Sequence, residues 1–167
     1  MNYAQSKRES RWFNNGDTVV ILFRRQYAHT PKKIAVQFGI EESMTHENLE
    51  MRSNQVARCL CTLGSSEGTI IPFCLAKSSL LSVLMLAIMK TGAAYTSIDS
   101  VHSVERKRKM LHTIKPPFLL TQALFTEEVG CDVRLLPEIL EKASLASTDS
   151  TSEMVLSSQL AYVYLRF

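Results

Sequence analysis

Few side chains of this 167-residue chain have both the type and the spacing that chemistry requires. Glu47 follows Thr45 at the start of a helical pattern. A carboxylate there could serve as a general acid or base, or simply favour the positive end of the helix dipole, and the second use is the expected one. Asp99 closes a strand pattern, the place where open α/β sheets receive ligands, yet it also stands just ahead of a helix that it could cap. Capping is again the expectation. His29, His46, His102 and His112 each lack a second His, Cys or Asp within sequence reach, so none forms a metal set or a catalytic couple. Cys59, Cys61, Cys74 and Cys131 form no CxxC pair and read as buried or half-buried thiols, not as a metal site or a disulfide framework. The run Glu105-Arg106-Lys107-Arg108-Lys109 has no interleaved aromatic residue, which makes it a solvated helix face, not a nucleic-acid site.

Composition narrows the classes further. Hydrophobic residues make up 46% and charged residues 21%, ordinary for a globular domain with a core. A net charge of +3 demands neither a nucleic-acid nor a membrane partner. The start, Met1 to Trp12, is polar and unlike a signal peptide. The most apolar run, Leu80 to Met89, is about half the length of a membrane span. A cytoplasmic location follows as the expectation.

The elements that would position these side chains alternate between strand and helix patterns. Residues 1–17 read as a polar tail. Thr18 to Ala28 has Val19, Leu22, Phe23 and Tyr27 at helical spacing and stops before Pro31. Ile34 to Phe38 reads as a strand with a hairpin partner after Gly39. Thr45 to Leu63 is an amphipathic helix with Leu49, Val56, Leu60 and Leu63 on one face, Thr45 as N-cap and Gly64 as the stop. Thr69 to Leu75 is a β-branched run interrupted by Pro72. Leu80 to Met89 is helical and apolar nearly all round, hence buried on most sides, and ends at Gly92. Ala94 to Ile98 is a strand, His102 to Ile114 a helix broken by Pro116 and Pro117, and Phe118 to Thr121 and Val133 to Leu136 are short strands. A helix from Glu138 to Ala143, a Ser/Thr-rich loop from Ser144 to Ser158 and a last strand from Leu160 to Leu165 complete the chain. This alternation predicts an α/β fold with a largely parallel sheet flanked by helices.

Several stretches in register resemble the adenylation domains of nonribosomal peptide synthetases, in the AMP-dependent, acyl-adenylate-forming synthetase/ligase superfamily. Met44-Thr45-His46-Glu47-Asn48-Leu49 is similar to L-T-Y-x-E-L, and Asn54-Gln55-Val56-Ala57 follows it. Lys90-Thr91-Gly92-Ala93-Ala94-Tyr95-Thr96-Ser97-Ile98-Asp99 is similar to L-K-A-G-x-A-Y-x-P-x-D. Leu160-Ala161-Tyr162-Val163-Tyr164 looks like the strand that enters the phosphate loop T-S-G-S/T-T-G-x-P-K-G. Ile71-Pro72-Phe73-Cys74-Leu75-Ala76-Lys77-Ser78 resembles V-P-L-C-F-E-K-S of fungal members, which accounts for Pro72. His102 lies where the family has a His after its D-P-x motif. Ser97, Ser100 and Ser103 replace prolines of the family pattern, a change that adds about 0.4–1 kcal/mol of folding entropy cost per site.

The resemblance implies the N-terminal subdomain of the acyl-adenylate-forming fold, with residues 18–167 stopping at the phosphate loop and the sheet incomplete. It implies a parent reaction in which ATP, with Mg²⁺, activates an amino acid as aminoacyl-AMP for loading onto a carrier protein. A phosphate cradle needs a Gly-rich turn, and no Gly follows Gly130. Leu165-Arg166-Phe167 stands where that turn would begin. No residue is therefore assigned a catalytic, substrate-binding, cofactor-binding or metal-binding role, and this stretch is expected to be inactive alone, with no cofactor of its own. Condensation and carrier-protein domains are the implied partners. The alternative is a non-catalytic interaction module that binds a synthetase domain.

Overall fold

The computed structural model describes residues 16–122, 129–150 and 158–165. Helix α1 spans Val19–His29, and the Thr18 side chain accepts from the Ile21 amide at its start. Strands β1 (Ile34–Phe38) and β2 (Glu42–Thr45) pair as an antiparallel hairpin around Gly39. Helix α2 runs His46–Thr62 with the Thr45 hydroxyl accepting from the Asn48 amide, the cap that the sequence predicts. Strand β3 is Ile70–Cys74, helix α3 Ser79–Lys90 and strand β4 Ala94–Ser97. Helix α4 spans Val104–Ile114, strand β5 Leu119–Thr121, strand β6 Val133–Leu135 and helix α5 Leu136–Ser144.

Strands β3 to β6 form a parallel sheet in the order β4-β3-β5-β6. Alternate residues of β3 divide between its faces, as the pleat requires. Ile71 and Phe73 join the larger core with Leu60 of α2, Leu84 and Ile88 of α3, and Ile139 of α5. Cys74 joins the smaller core with Met110 and Leu111 of α4. Burying a side chain such as Leu60 or Ile88 completely contributes about 1.5–3 kcal/mol, so the face shared by α2 and α3 dominates the packing. Pro72 is tolerated inside the sheet because pairing with β5 starts only at Phe73.

Two expectations require correction. Helix α4 begins at Val104, two residues after His102, because Ser103 supplies its cap. The strand expected from Leu160 to Leu165 reduces to one parallel bridge, Tyr162 opposite Tyr95. Leu160, Tyr162 and Tyr164 are 66%, 46% and 70% exposed, so no covering layer rewards a longer ladder there. Most of the expected polar tail, and Arg166 and Phe167 at the other end, lie outside the described residues.

Candidate functional site

In an open parallel sheet the place to look is the carboxyl ends of the strands, where successive helices leave on opposite faces. Here α3 follows β3 onto the face of the larger core and α4 follows β4 onto the other, which puts the switch between β3 and β5. The loop leaving β3 is tied down by the Gln122 side chain, whose Oε1 accepts from the Ala76 amide at 2.8 Å. Ser78 precedes α3 but makes no side-chain cap. The Glu42 carboxylate takes that place, accepting from the Ser79 amide at 3.2 Å. A helix N-terminus favours an anion, and β2 supplies one from within the chain.

Asp99 and its neighbours form the rim beyond β4. Asp99 does not cap α4, contrary to expectation: its Oδ1 accepts from the Val101 amide at 3.1 Å, a local turn. The cap is Ser103, whose Oγ accepts from the Arg106 amide. Lys107 donates from Nζ to the Ser100 carbonyl at 2.8 Å. Two of the three serines that replace prolines therefore take part in anchoring α4, and Ser103 does so through a hydroxyl that proline lacks.

The remaining candidates are scattered. Glu47 sits in the first turn of α2 and pairs with Lys32, as a helix-dipole residue would. His46 places Nδ1 3.1 Å from the Lys33 carbonyl. His29 and His112 are exposed near the ends of α1 and α4. His102 is half-buried, and its Nδ1 has no hydrogen-bond partner among the described residues. Cys59, Cys61 and Cys131 are half-buried and Cys74 is buried, all as free thiols. Burial pushes the Cys59, Cys74 and Cys131 thiols upward, away from thiolate reactivity. Among the described residues no three His, Cys, Asp or Glu side chains converge as a metal site would require. The basic run lies on α4, where Arg106, Arg108 and Lys109 are exposed and Lys107 is buried.

Gly92 ends α3 with φ +79°, as a helix stop does. A Cβ at Gly92 would lie 3.4 Å from the Glu67 amide nitrogen and from Gln159 Nε2, so the close approach is made by the chain itself. Cavities of about 190 and 260 Å³ flank Gln159 and Leu160 there, at the amino ends of β3 and β4 and away from the switch. Beside β4 runs the 158–165 segment, part of which lines both cavities. Tyr95 donates its amide to the Ala161 carbonyl and accepts from the Val163 amide. The Tyr95 ring lies 5.2 Å from that of Tyr162 and 5.9 Å from that of Phe73.

The densest polar cluster was missed by sequence reasoning. Lys90, 1% exposed, donates from Nζ to Glu50 Oε2 at 2.7 Å, Ser53 Oγ at 2.8 Å and Asn54 Oδ1 at 2.6 Å. Arg24 of α1 stands 3.5 Å from the other Glu50 oxygen. Burial lowers Lys90 to about 8, although the hydrogen bond and charge of Glu50 act the other way. The available signal was Glu50, Asn54 and Ala57 at helical spacing beside the apolar stripe of α2, but their partner lies 36 to 40 residues away.

Comparison with known proteins places this arrangement. The family model described as AMP-binding enzyme matches residues 23–162. Tyrocidine synthase 3 of Brevibacillus parabrevis is 34% identical over 85% of the chain, and malpinin synthetase of Mortierella alpina 27% identical over 93%. The chain spans only 2% of the length of either relative. Among solved structures, the nonribosomal peptide synthetase FmoA3 bound to α-methyl-L-serine-AMP matches with a TM-score of 0.76 at 20% identity, over 88% of this chain and 17% of that one. The N-terminal domain of FACL13 from Mycobacterium tuberculosis matches with a TM-score of 0.77 at 16% identity, over 88% and 41%. At these identities the structural matches establish the fold.

Proposed function

Since the chain belongs to the AMP-binding enzyme family, we propose that it forms the N-terminal scaffold of an amino-acid-activating adenylation domain of a nonribosomal peptide synthetase. The whole domain would join an amino-acid carboxylate to the α-phosphate of ATP, releasing pyrophosphate. It would then pass the acyl group to a carrier-protein thiol, releasing AMP. ATP and Mg²⁺ are the cofactors of that reaction, condensation and carrier-protein domains its neighbours, and the cytoplasm its place. No helix among the described residues is long and apolar enough to cross a membrane.

The observation that carries this reading is the seating of the segment Leu160–Tyr164. It resembles the strand entering a phosphate loop, and it runs parallel to β4 through the Tyr95–Tyr162 bridge. The role proposed for the described residues is to position that segment, with Gln122 holding the loop after β3 and Glu42 the start of α3. Exchange of labelled pyrophosphate into ATP tests the proposal. The 167-residue chain should give none with any proteinogenic amino acid, and measurable exchange would refute the scaffold role. A hybrid whose residues after Leu165 come from the corresponding part of a full-length relative should exchange. A folded but inactive hybrid would count against the family chemistry.

A further inference from the structure

The smaller of the two cavities beside Gln159, about 190 Å³, joins the start of α1 to the end of α3 and to the 158–165 segment. Its apolar wall is Val19, Val20, Met89, Ala93 and Leu160. Val20 and Ala93 belong to the larger core, whereas Val19 and Leu160 are 53% and 66% exposed. A single water needs only about 10–15 Å³, and apolar walls offer it no hydrogen bond, so the space suits a large apolar side chain. Asp17, Thr18 and Gln159 add polar groups to the same lining. An indole fits such a mixed wall better than a phenyl ring does, because its apolar body carries one N–H that finds an acceptor when buried.

The sequence supplies such a ring next to the cavity. Residues 1–15 precede the described residues and end in Arg11-Trp12-Phe13-Asn14-Asn15, and Trp12 is the only tryptophan of the chain. Trp12 stands five positions before Asp17, a span of at most about 18 Å of extended chain, so its reach centres on the start of α1. Gly16 has φ +101°, a left-handed conformation, and the two asparagines before it are turn formers. A bend there suits a chain that doubles back over Val19 and Val20. Charge agrees with that path: exposed Glu67 lines the adjoining cavity, and Arg11 is the neighbour of Trp12.

We propose that Trp12 seats its indole in this cavity and straps the Gln159–Ala161 segment against β4. The segment meets β4 through the Tyr95 amide on the Ala161 carbonyl at 3.1 Å and the Val163 amide on the Tyr95 carbonyl at 3.0 Å. A bridge this short needs a covering layer to persist, and Leu160 is the exposed wall on which the indole lies. A buried aromatic side chain removes about 150–250 Å² from water, and here much of its contact falls on the two elements to be joined, α1 and the 159–161 segment. The strap acts by packing alone. It stands apart from the adenylation reading, and its test needs no catalytic readout.

With a single tryptophan in the sequence, fluorescence of the full chain reports the seat of Trp12 directly. Acrylamide should quench it several-fold less than in the urea-unfolded chain. Leu160→Ser changes an exposed wall residue and should restore most of the quenching with an unchanged far-UV spectrum. Ile40→Ser, between β1 and β2 at 99% exposure, should leave the quenching as it is. Equal quenching of folded and unfolded chains overturns the proposal, as does an indole that Ile40→Ser exposes or that Leu160→Ser leaves protected. Protection that fades on dilution assigns the indole to a second copy and overturns it too. Hydrogen exchange then reads the strap. In Trp12→Ala the Val163 amide should exchange several-fold faster, while the Ile98 amide, bonded to the Phe73 carbonyl at 2.8 Å, keeps its rate. Unchanged Val163 exchange, equal acceleration of Ile98, or release of Val163 by Phe13→Ala and not by Trp12→Ala each refutes the strap.

Discussion

At the interface of α2 and α3, Lys90, Glu50, Ser53 and Asn54 are all withdrawn from solvent and bonded across 36 to 40 residues of sequence. At the carboxyl rim of the sheet, the bonds of Asp99, Ser100 and Ser103 among the described residues go to partners two to seven residues away. The two regions have similar inventories of charged and hydroxyl groups. Their partners separate them. A buried ion pair is costly to desolvate and survives only when every lone pair and proton is used, so the inner cluster rigidly specifies how α1, α2 and α3 meet. The rim spends its polar groups on turns and a cap and leaves its neighbourhood adjustable. Within the described residues, strongly built polar chemistry serves assembly of the helical layer, and the end of the sheet where chemistry is expected remains lightly built.

The largest test of that contrast removes the cation. Lys90→Met leaves Glu50 buried beside only the more distant Arg24, and should cost about 3–5 kcal/mol in urea denaturation. Pairing it with Glu50→Leu should recover most of the loss, since apolar replacement of both partners of a buried pair is often neutral. A single variant that costs less than 1 kcal/mol would show that the cluster is solvated and that the contrast with the rim is false.

A pH titration of stability sharpens the same comparison. Burial holds the folded Lys90 near 8, below the ordinary lysine value of 10.5. Between those values the unfolded chain binds a proton that the folded chain has lost. Stability from this group therefore rises with pH in that window, by at most about 1.4 kcal/mol per pH unit, and is flat below it. Cys59, Cys74, Cys131 and Tyr95 act oppositely, because burial raises them and their unfolded counterparts ionise first. The difference between wild type and Lys90→Met isolates the lysine contribution. A difference that falls with pH would contradict the assigned direction.

The two regions also differ in how far they could be read from sequence. Caps and stops are local, so Thr45, Gly64 and Gly92 marked the ends of α2 and α3 correctly. Pairing within a parallel sheet depends on periodicity and turn residues, which is why β3 was legible in spite of Pro72. The Lys90 cluster was not legible, because nothing near Lys90 in sequence reveals that Glu50 and Asn54 meet it. The Leu160–Leu165 segment failed for a different reason. Its alternation matches a strand, but strand length also depends on a layer to cover it, and Tyr164 remains 70% exposed. Asp99 was given a role that Ser103 performs, since both stand ahead of α4 and only geometry chooses between them.

The smallest effect tests whether the rim is truly local. Ser103 caps α4 through its hydroxyl, whereas Ser78, in the same position before α3, makes no side-chain bond and leaves that role to Glu42. Ser103→Ala should cost about 1 kcal/mol, within the usual range for losing a cap. Ser78→Ala should cost only a few tenths, as a change at a half-buried position that removes no side-chain bond. The two substitutions should add, because they sit on separate helices with no shared partner. Equal costs would mean that both hydroxyls act alike and that Glu42 is not the group at the start of α3. A coupling above about 0.5 kcal/mol would mean that the rim is a connected network, as the Lys90 cluster is, and the distinction between the two regions would fall.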